Sequence, residues 1–262
     1  MPHPQAASPF HSRPCHPPPP LTIPFRAVAA VLLCFALTAC SPGGPPPQSE
    51  LVLTTANGVK VAATLHRPPA ASTTGGPPPG LILAHRHGGD RQIWEGFAAF
   101  ARGLGYLSVA VDLHGLGGET DDWRGELAAL AAAKAALLEH GADPENLAVL
   151  GEELGASLAL LYALDEPAMQ AVVMLSPGLE LRGIDAESAI RRLKDCPVLI
   201  LSAQNDAYAA SSAAALKAAA PVFAEAQSYS GAAQGADLFA ANGGAMSQVT
   251  QWLKSVIGPK SP

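Results

Sequence analysis

The chain of 262 residues runs short of three things: cysteine, early acidic residues and late histidine. Of its four cysteines, Cys15, Cys34 and Cys40 lie near the N-terminus, and Cys196 stands alone in the body. No disulfide framework is available to that body, so its fold must rest on a core. A composition of 48% hydrophobic and 15% charged residues is enough to build one. No aspartate or glutamate occurs among the first 49 residues, which are instead rich in proline. That stretch belongs to a different compositional class from the rest. No histidine follows His140, which limits the chemistry the second half of the chain can perform.

Arg13 and Arg26 precede an apolar run from Ala27 to Ala39, short for a spanning helix. A basic n-region, a brief apolar h-region and small residues before a cleavage point describe a secretory signal. The run closes on Leu37-Thr38-Ala39-Cys40. This segment resembles a bacterial lipoprotein signal, whose box reads Leu-Ser/Thr-Ala/Gly-Cys. The resemblance implies that residues 1–39 are removed and that Cys40 becomes the lipidated first residue. It also implies a lipid-anchored place in the bacterial cell envelope, with the membrane as partner through Cys40. Ser41, rather than aspartate, implies the outer membrane, facing the periplasm. Residues 40–49, carrying "SPGGPPPQS", predict an extended, flexible tether. Loss of Arg13 and Arg26 from 16 basic residues leaves 14 against 22 acidic ones, a net of −8. A chain so acidic is not built for nucleic acid.

Residues 50–258 read as one domain without internal repeats. "LVLTTANGVKVAATLHRP" predicts an antiparallel hairpin turned at Asn57-Gly58. Buried-type strands follow at 80–85, 106–112, 146–150, 171–175, 197–203 and 222–229. Helical spacing alternates with them at 91–103, 122–140, 154–165, 186–194, 207–220 and 244–257. Asp121-Asp122 suit a helix cap before Trp123, and Trp94 and Trp123 read as packing residues or pocket walls. Strands separated by helices of this length need crossover connections, hence a mostly parallel, doubly wound α/β sheet with no room for a large lid. In such sheets working groups gather on loops at the carboxyl ends of the strands.

Those loops carry five ordered motifs: "LILAHRHGGD", "VAVDLHGLGG", "LAVLGEELGASLAL", "VLILSAQNDAY" and "YSGAAQGADLF". Together they resemble the α/β-hydrolase superfamily, and within it dienelactone-hydrolase-like members. Gly151-Glu152-Glu153-Leu154-Gly155 has the glycine spacing of the G-x-S-x-G nucleophile elbow. The resemblance implies a triad of nucleophile, acid and histidine, in that order. Asp206 matches the acid, Glu153 stands at the nucleophile position and Gln234 at the histidine position. The oxyanion-hole amides map to His87 and Leu154, and His85, Arg86 and His114 fall beside the pocket.

With no histidine downstream of Asp206, a Ser-His-Asp esterase cannot be assembled. Gln234 cannot accept a proton at neutral pH, so an ester formed on Glu153 would not be hydrolysed. Ser157, in Gly155-Ala156-Ser157-Leu158-Ala159, falls a full turn into the helix, where a serine packs. Arg86 is placed to pair with Glu153, which would fill the anion hole with the protein's own side chain. His85, His87, Asp112, His114, Glu152 and Glu153 converge in principle on one cleft, a zinc-like donor set. Against it, His85 sits where the family packs a residue beneath the oxyanion loop, so no metal or other cofactor is assigned. The leading expectation is a catalytically degenerate hydrolase that binds a small ligand or an envelope protein. The alternatives are an active carboxylester or lactone hydrolase with a rearranged site, and a metal-dependent hydrolase.

Overall fold

The computed structural model describes residues 46–72, 75–113 and 123–258. The signal-like segment 1–39, Cys40, His114 and the Asp121-Asp122 cap lie outside the described residues. Two strands, β1 (Gln48–Thr54) and β2 (Lys60–His66), form the expected antiparallel hairpin, in register from Gln48 opposite His66 to Thr54 opposite Lys60. Gly58 sits at φ +82 in the turn, a conformation that glycine adopts without a Cβ penalty. Gln48 and Ser49, read from composition as tether, belong to β1. Pairing with His66 and Leu65 satisfies their backbone groups, which outweighs the polar composition around them.

The parallel part of the sheet comprises β3 (Gly80–Ala84), β4 (Leu107–Val111), β5 (Leu147–Glu152), β6 (Met169–Leu175), β9 (Val198–Ala203) and β10 (Ala224–Tyr229). The eight strands lie in the order β1-β2-β4-β3-β5-β6-β9-β10, with β1 and β2 antiparallel to their neighbours. Strands β3, β4, β5 and β9 are buried along their whole length. Burial on both faces explains their unbroken apolar runs.

Helices cover both faces. Helices α2 (Trp123–Glu139), α3 (Leu154–Asp165) and α5 (Ala207–Ala219) bring Leu130, Leu158 and Leu216 into one core with Ile82, Val109 and Val149. On the other face, α1 (Glu95–Gly103) and α7 (Ala245–Ile257) pack Phe97, Val249 and Leu253 onto Leu81, Leu150 and Leu201. Helix α4 (Ala186–Ile190) is shorter than the 186–194 pattern predicts. Past Ile190 the chain continues in tight turns, Arg192 bonding back to Ala189 and Leu193 to Ile190. Two elements carried no period in the sequence because each is so short. One is a ribbon of β7 (Glu180–Leu181) and β8 (Ile184–Asp185); the other is α6 (Asp237–Ala241).

Helix α6 is pinned through Phe239, which stacks on Phe97 at 5.1 Å while Trp94 meets Phe97 edge-on at 5.9 Å. Contacts of this kind add about 0.5–1.5 kcal/mol each beyond burial. They fix the loop that precedes α6, which carries Gln234.

Candidate functional site

The elbow is a sharp reversal between β5 and α3. Glu153 at its apex has φ 50 and ψ −112, a strained conformation for a side-chain-bearing residue that costs about 1–3 kcal/mol. Its N–H donates to Leu175 O at 2.9 Å, tying the apex to β6. The flanking glycines are required by close approach. A Cβ at Gly151 would lie 2.1 Å from Gly155 O, and one at Gly155 would lie 2.5 Å from both Ala84 O and His85 O. The strand-turn-helix is thus compressed against β3.

Glu153, Asp206, Gln234 and Arg86 come together in one cleft of about 140 Å³ at the carboxyl ends of the strands. The sequence left Ser176, Gly178, Leu181 and Tyr208 unassigned, yet they complete its wall. Asp206 caps α5, its Oδ1 accepting from Ala209 N at 3.1 Å. Its Oδ2 accepts from Gln234 Nε2 at 2.9 Å. Ser176, at φ 46, accepts on Oγ from Gly235 N at 2.9 Å. The Tyr208 hydroxyl donates to Glu180 O at 3.0 Å, and Gly178 lets Leu181 and Tyr208 approach where a Cβ would clash with both. The ribbon β7–β8 thereby becomes one side of the cleft.

Arg86 does not pair with Glu153. Its Nη1 lies 3.6 Å from Glu152 Oε2 and 3.5 Å from Asp237 Oδ2, drawn to the buried carboxylate beneath the elbow. The Glu153 carboxylate makes no hydrogen bond or ion pair among the described residues. Glu152 is the busier of the two acids. It is fully buried, and its oxygens accept from Arg86 N at 3.1 Å and Ala236 N at 2.7 Å. It thus joins the loop after β3 to the loop carrying Gln234. Burial raises its pKa above the ordinary carboxylate value, against the lowering pull of the Ala236 and Arg86 hydrogen bonds. A charged residue closing an otherwise apolar strand was the one signal in the sequence that could have marked it.

His85 does not line the cleft. It is buried, its Nδ1–H donating to Arg86 O at 2.6 Å and its Nε2 accepting from Leu113 N at 2.8 Å. Burial lowers its pKa, so it is a neutral strut beneath the loop. His87 Nε2 accepts from Arg182 Nη1 at 3.1 Å. The His87 and Leu154 amides make no hydrogen bond among the described residues. His114 lies outside the described residues. Ser157 is wholly buried in α3, without a partner for its hydroxyl among the described residues and away from the cleft. Three of the six donors weighed for zinc are engaged elsewhere: Asp112 on Arg91, Glu152 on two amides and His85 on two backbone groups. No three such side chains are grouped among the described residues.

No family profile and no curated protein matches the chain. Solved structures do. A Klebsiella pneumoniae protein assigned as a dienelactone hydrolase superposes with TM-score 0.65 at 22% identity, over 80% of this chain and 97% of that one. Dienelactone hydrolase from Anabaena variabilis gives 0.62 at 20% identity, over 80% and 97%. A thermophilic carboxylesterase cloned from a metagenomic library gives 0.62 at 17% identity, over 82% and 90%. With the mostly parallel eight-stranded sheet, these likenesses establish that the chain has the α/β-hydrolase fold.

Proposed function

We propose that this protein is a catalytically degenerate α/β hydrolase, anchored at a bacterial envelope through lipidated Cys40, whose elbow cleft binds a small ligand without turning it over. The observation that carries this reading is the 2.9 Å bond from Gln234 Nε2 to Asp206. An ester hydrolase of this kind needs an acid, a proton-accepting base and a nucleophile in sequence. Here the acid's partner is an amide that cannot take a proton. The group at the apex is a carboxylate, and no histidine lines the cleft beside it among the described residues. No helix among the described residues is long and apolar enough to cross a membrane. The assignment of attachment to a lipid on Cys40 rests on the box Leu37-Thr38-Ala39-Cys40.

The purified chain is expected to be inert to a fluorophosphonate probe and to p-nitrophenyl acetate. Reaction with either overturns the proposal. The double change Glu153→Ser with Gln234→His should restore nucleophile and base on an intact acid. Ester cleavage is then expected to rise by on the order of 10²-fold over the native chain. Radiolabelled palmitate should enter the native protein and not the Cys40→Ala variant; labelling of both removes the anchor. A second reading, residual ester or lactone hydrolysis, is favoured by the unengaged His87 and Leu154 amides. The same ester assay on the native chain decides between them.

A further inference from the structure

We propose that the elbow cleft selects a small primary alkylammonium ion, with its nitrogen held by the Glu153 carboxylate. The inference rests on the reading of the cleft as a binding site and specifies what it binds. Its basis is an account of which polar groups on the wall are already engaged. Arg86, the cation on the wall, faces Glu152 and Asp237. Both oxygens of Asp206 accept hydrogen bonds, from Ala209 N and from Gln234 Nε2. The Ser176 hydroxyl oxygen accepts from Gly235 N, and the Tyr208 hydroxyl is turned to the Glu180 backbone.

Two side-chain acceptors on the wall remain without a hydrogen bond among the described residues: the Glu153 carboxylate and the Gln234 carbonyl oxygen. Glu153 carries a full negative charge, whereas the positive charge of Arg86 is offset by Glu152 and Asp237. The complement of the two acceptors is a ligand rich in donors. An ammonium group offers three N–H bonds and the opposite charge, an alcohol offers one, and a carboxylate offers none. Glu153 is half-buried and lines the cleft, so its carboxylate is partly withdrawn from solvent. Leu181 and the Tyr208 ring supply an apolar wall for a hydrocarbon stem. A cavity near 140 Å³ is the size that accepts about six heavy atoms, as in a benzene ring. A stem of roughly four or five carbons on the nitrogen fills it.

The test is calorimetric titration of the full chain with n-butylammonium, n-butanol and butyrate at low salt. A charge-assisted hydrogen bond in place of a neutral one is expected to make n-butylammonium bind at least about tenfold more tightly than n-butanol. Butyrate is expected not to bind. The isosteric Glu153→Gln change should remove the preference, and raised salt should weaken n-butylammonium alone. The salt series and the three-ligand comparison need no variant, so the inference is tested even if the substitution harms folding. Binding of n-butanol or butyrate as tightly as n-butylammonium overturns it, as does binding of none of the three. Either result leaves the ester assays to judge the degenerate-hydrolase reading on their own.

Discussion

Gly235 offers a quantitative check on the buried carboxylate that holds the site together. It sits at φ +52, and a Cβ there would lie 2.1 Å from Glu152 Oε2 and 3.0 Å from its Cδ. Gly235→Ala therefore has two costs. A left-handed conformation with a Cβ costs about 1–2 kcal/mol. Glu152 must also move, and it has nowhere to go without releasing Ala236 N or Arg86 N, each bond to the charged group being worth about 1.5–3 kcal/mol. The combined loss in the native background is then about 3–5 kcal/mol. In a Glu152→Ala background the carboxyl is gone and the nearest atom would be Cβ, 3.1 Å away. There Gly235→Ala should cost only the conformational part, about 1–2 kcal/mol. Urea unfolding of the native chain, both single variants and the double variant gives the coupling, expected at about 2–3 kcal/mol. Additivity within about 0.5 kcal/mol would show that Glu152 does not occupy the space beside Gly235, and the account of the two tethered loops would fall.

Ser157→Ala should change the unfolding free energy by less than about 1 kcal/mol, or raise it, because the hydroxyl is buried without a partner. A loss above about 2 kcal/mol would reveal a hydrogen bond that the geometry lacks. Acid should destabilise the fold through His66 and His85, whose pKa values are lowered chiefly by burial. The unfolded imidazoles bind protons below about pH 6.5 while the folded ones resist, so stability present at neutral pH falls as pH drops, by up to about 1.4 kcal/mol per unit for each histidine. Glu152, raised by burial, gives a slope of the opposite sign, so the histidine contribution is read by comparison with His66→Leu. That variant should lose about one histidine's share of the slope between pH 6.5 and 5.5, and identical slopes would refute the assignment.

How much of this was legible in the sequence depends on the distance over which each feature acts. The hairpin at Asn57-Gly58, the apolar strands and the helices of three turns or more announced themselves through local period and turn chemistry. The elbow was legible because two glycines four residues apart mark a contact that no side chain permits, as the clashes at Gly151 and Gly155 bear out. Ribbon β7–β8 and helix α6 were not, since a few residues carry no period and their stability comes from packing. The partner of Arg86 was misjudged for a related reason. Glu152 and Glu153 are adjacent in sequence, but one points into the core and the other into the cleft, and only the reversal between them decides which is reached.

The succession of strands and helices along the chain, the glycine-flanked elbow and the assignment of Glu153, Asp206 and Gln234 to loops after strands follow from the sequence alone, because hydrophobic period, glycine spacing and motif order are properties of the chain. The missing late histidine is likewise a fact of the sequence. The order of the strands in the sheet does not follow from it. Tertiary structure decided which charges are satisfied. It set Arg86 on Glu152, closed Asp206 onto Gln234, turned His85 into a buried strut and left the Glu153 carboxylate without a partner among the described residues. Hydrogen-bond partners are chosen by distances of a few ångströms between residues far apart in the chain, and no local pattern encodes them.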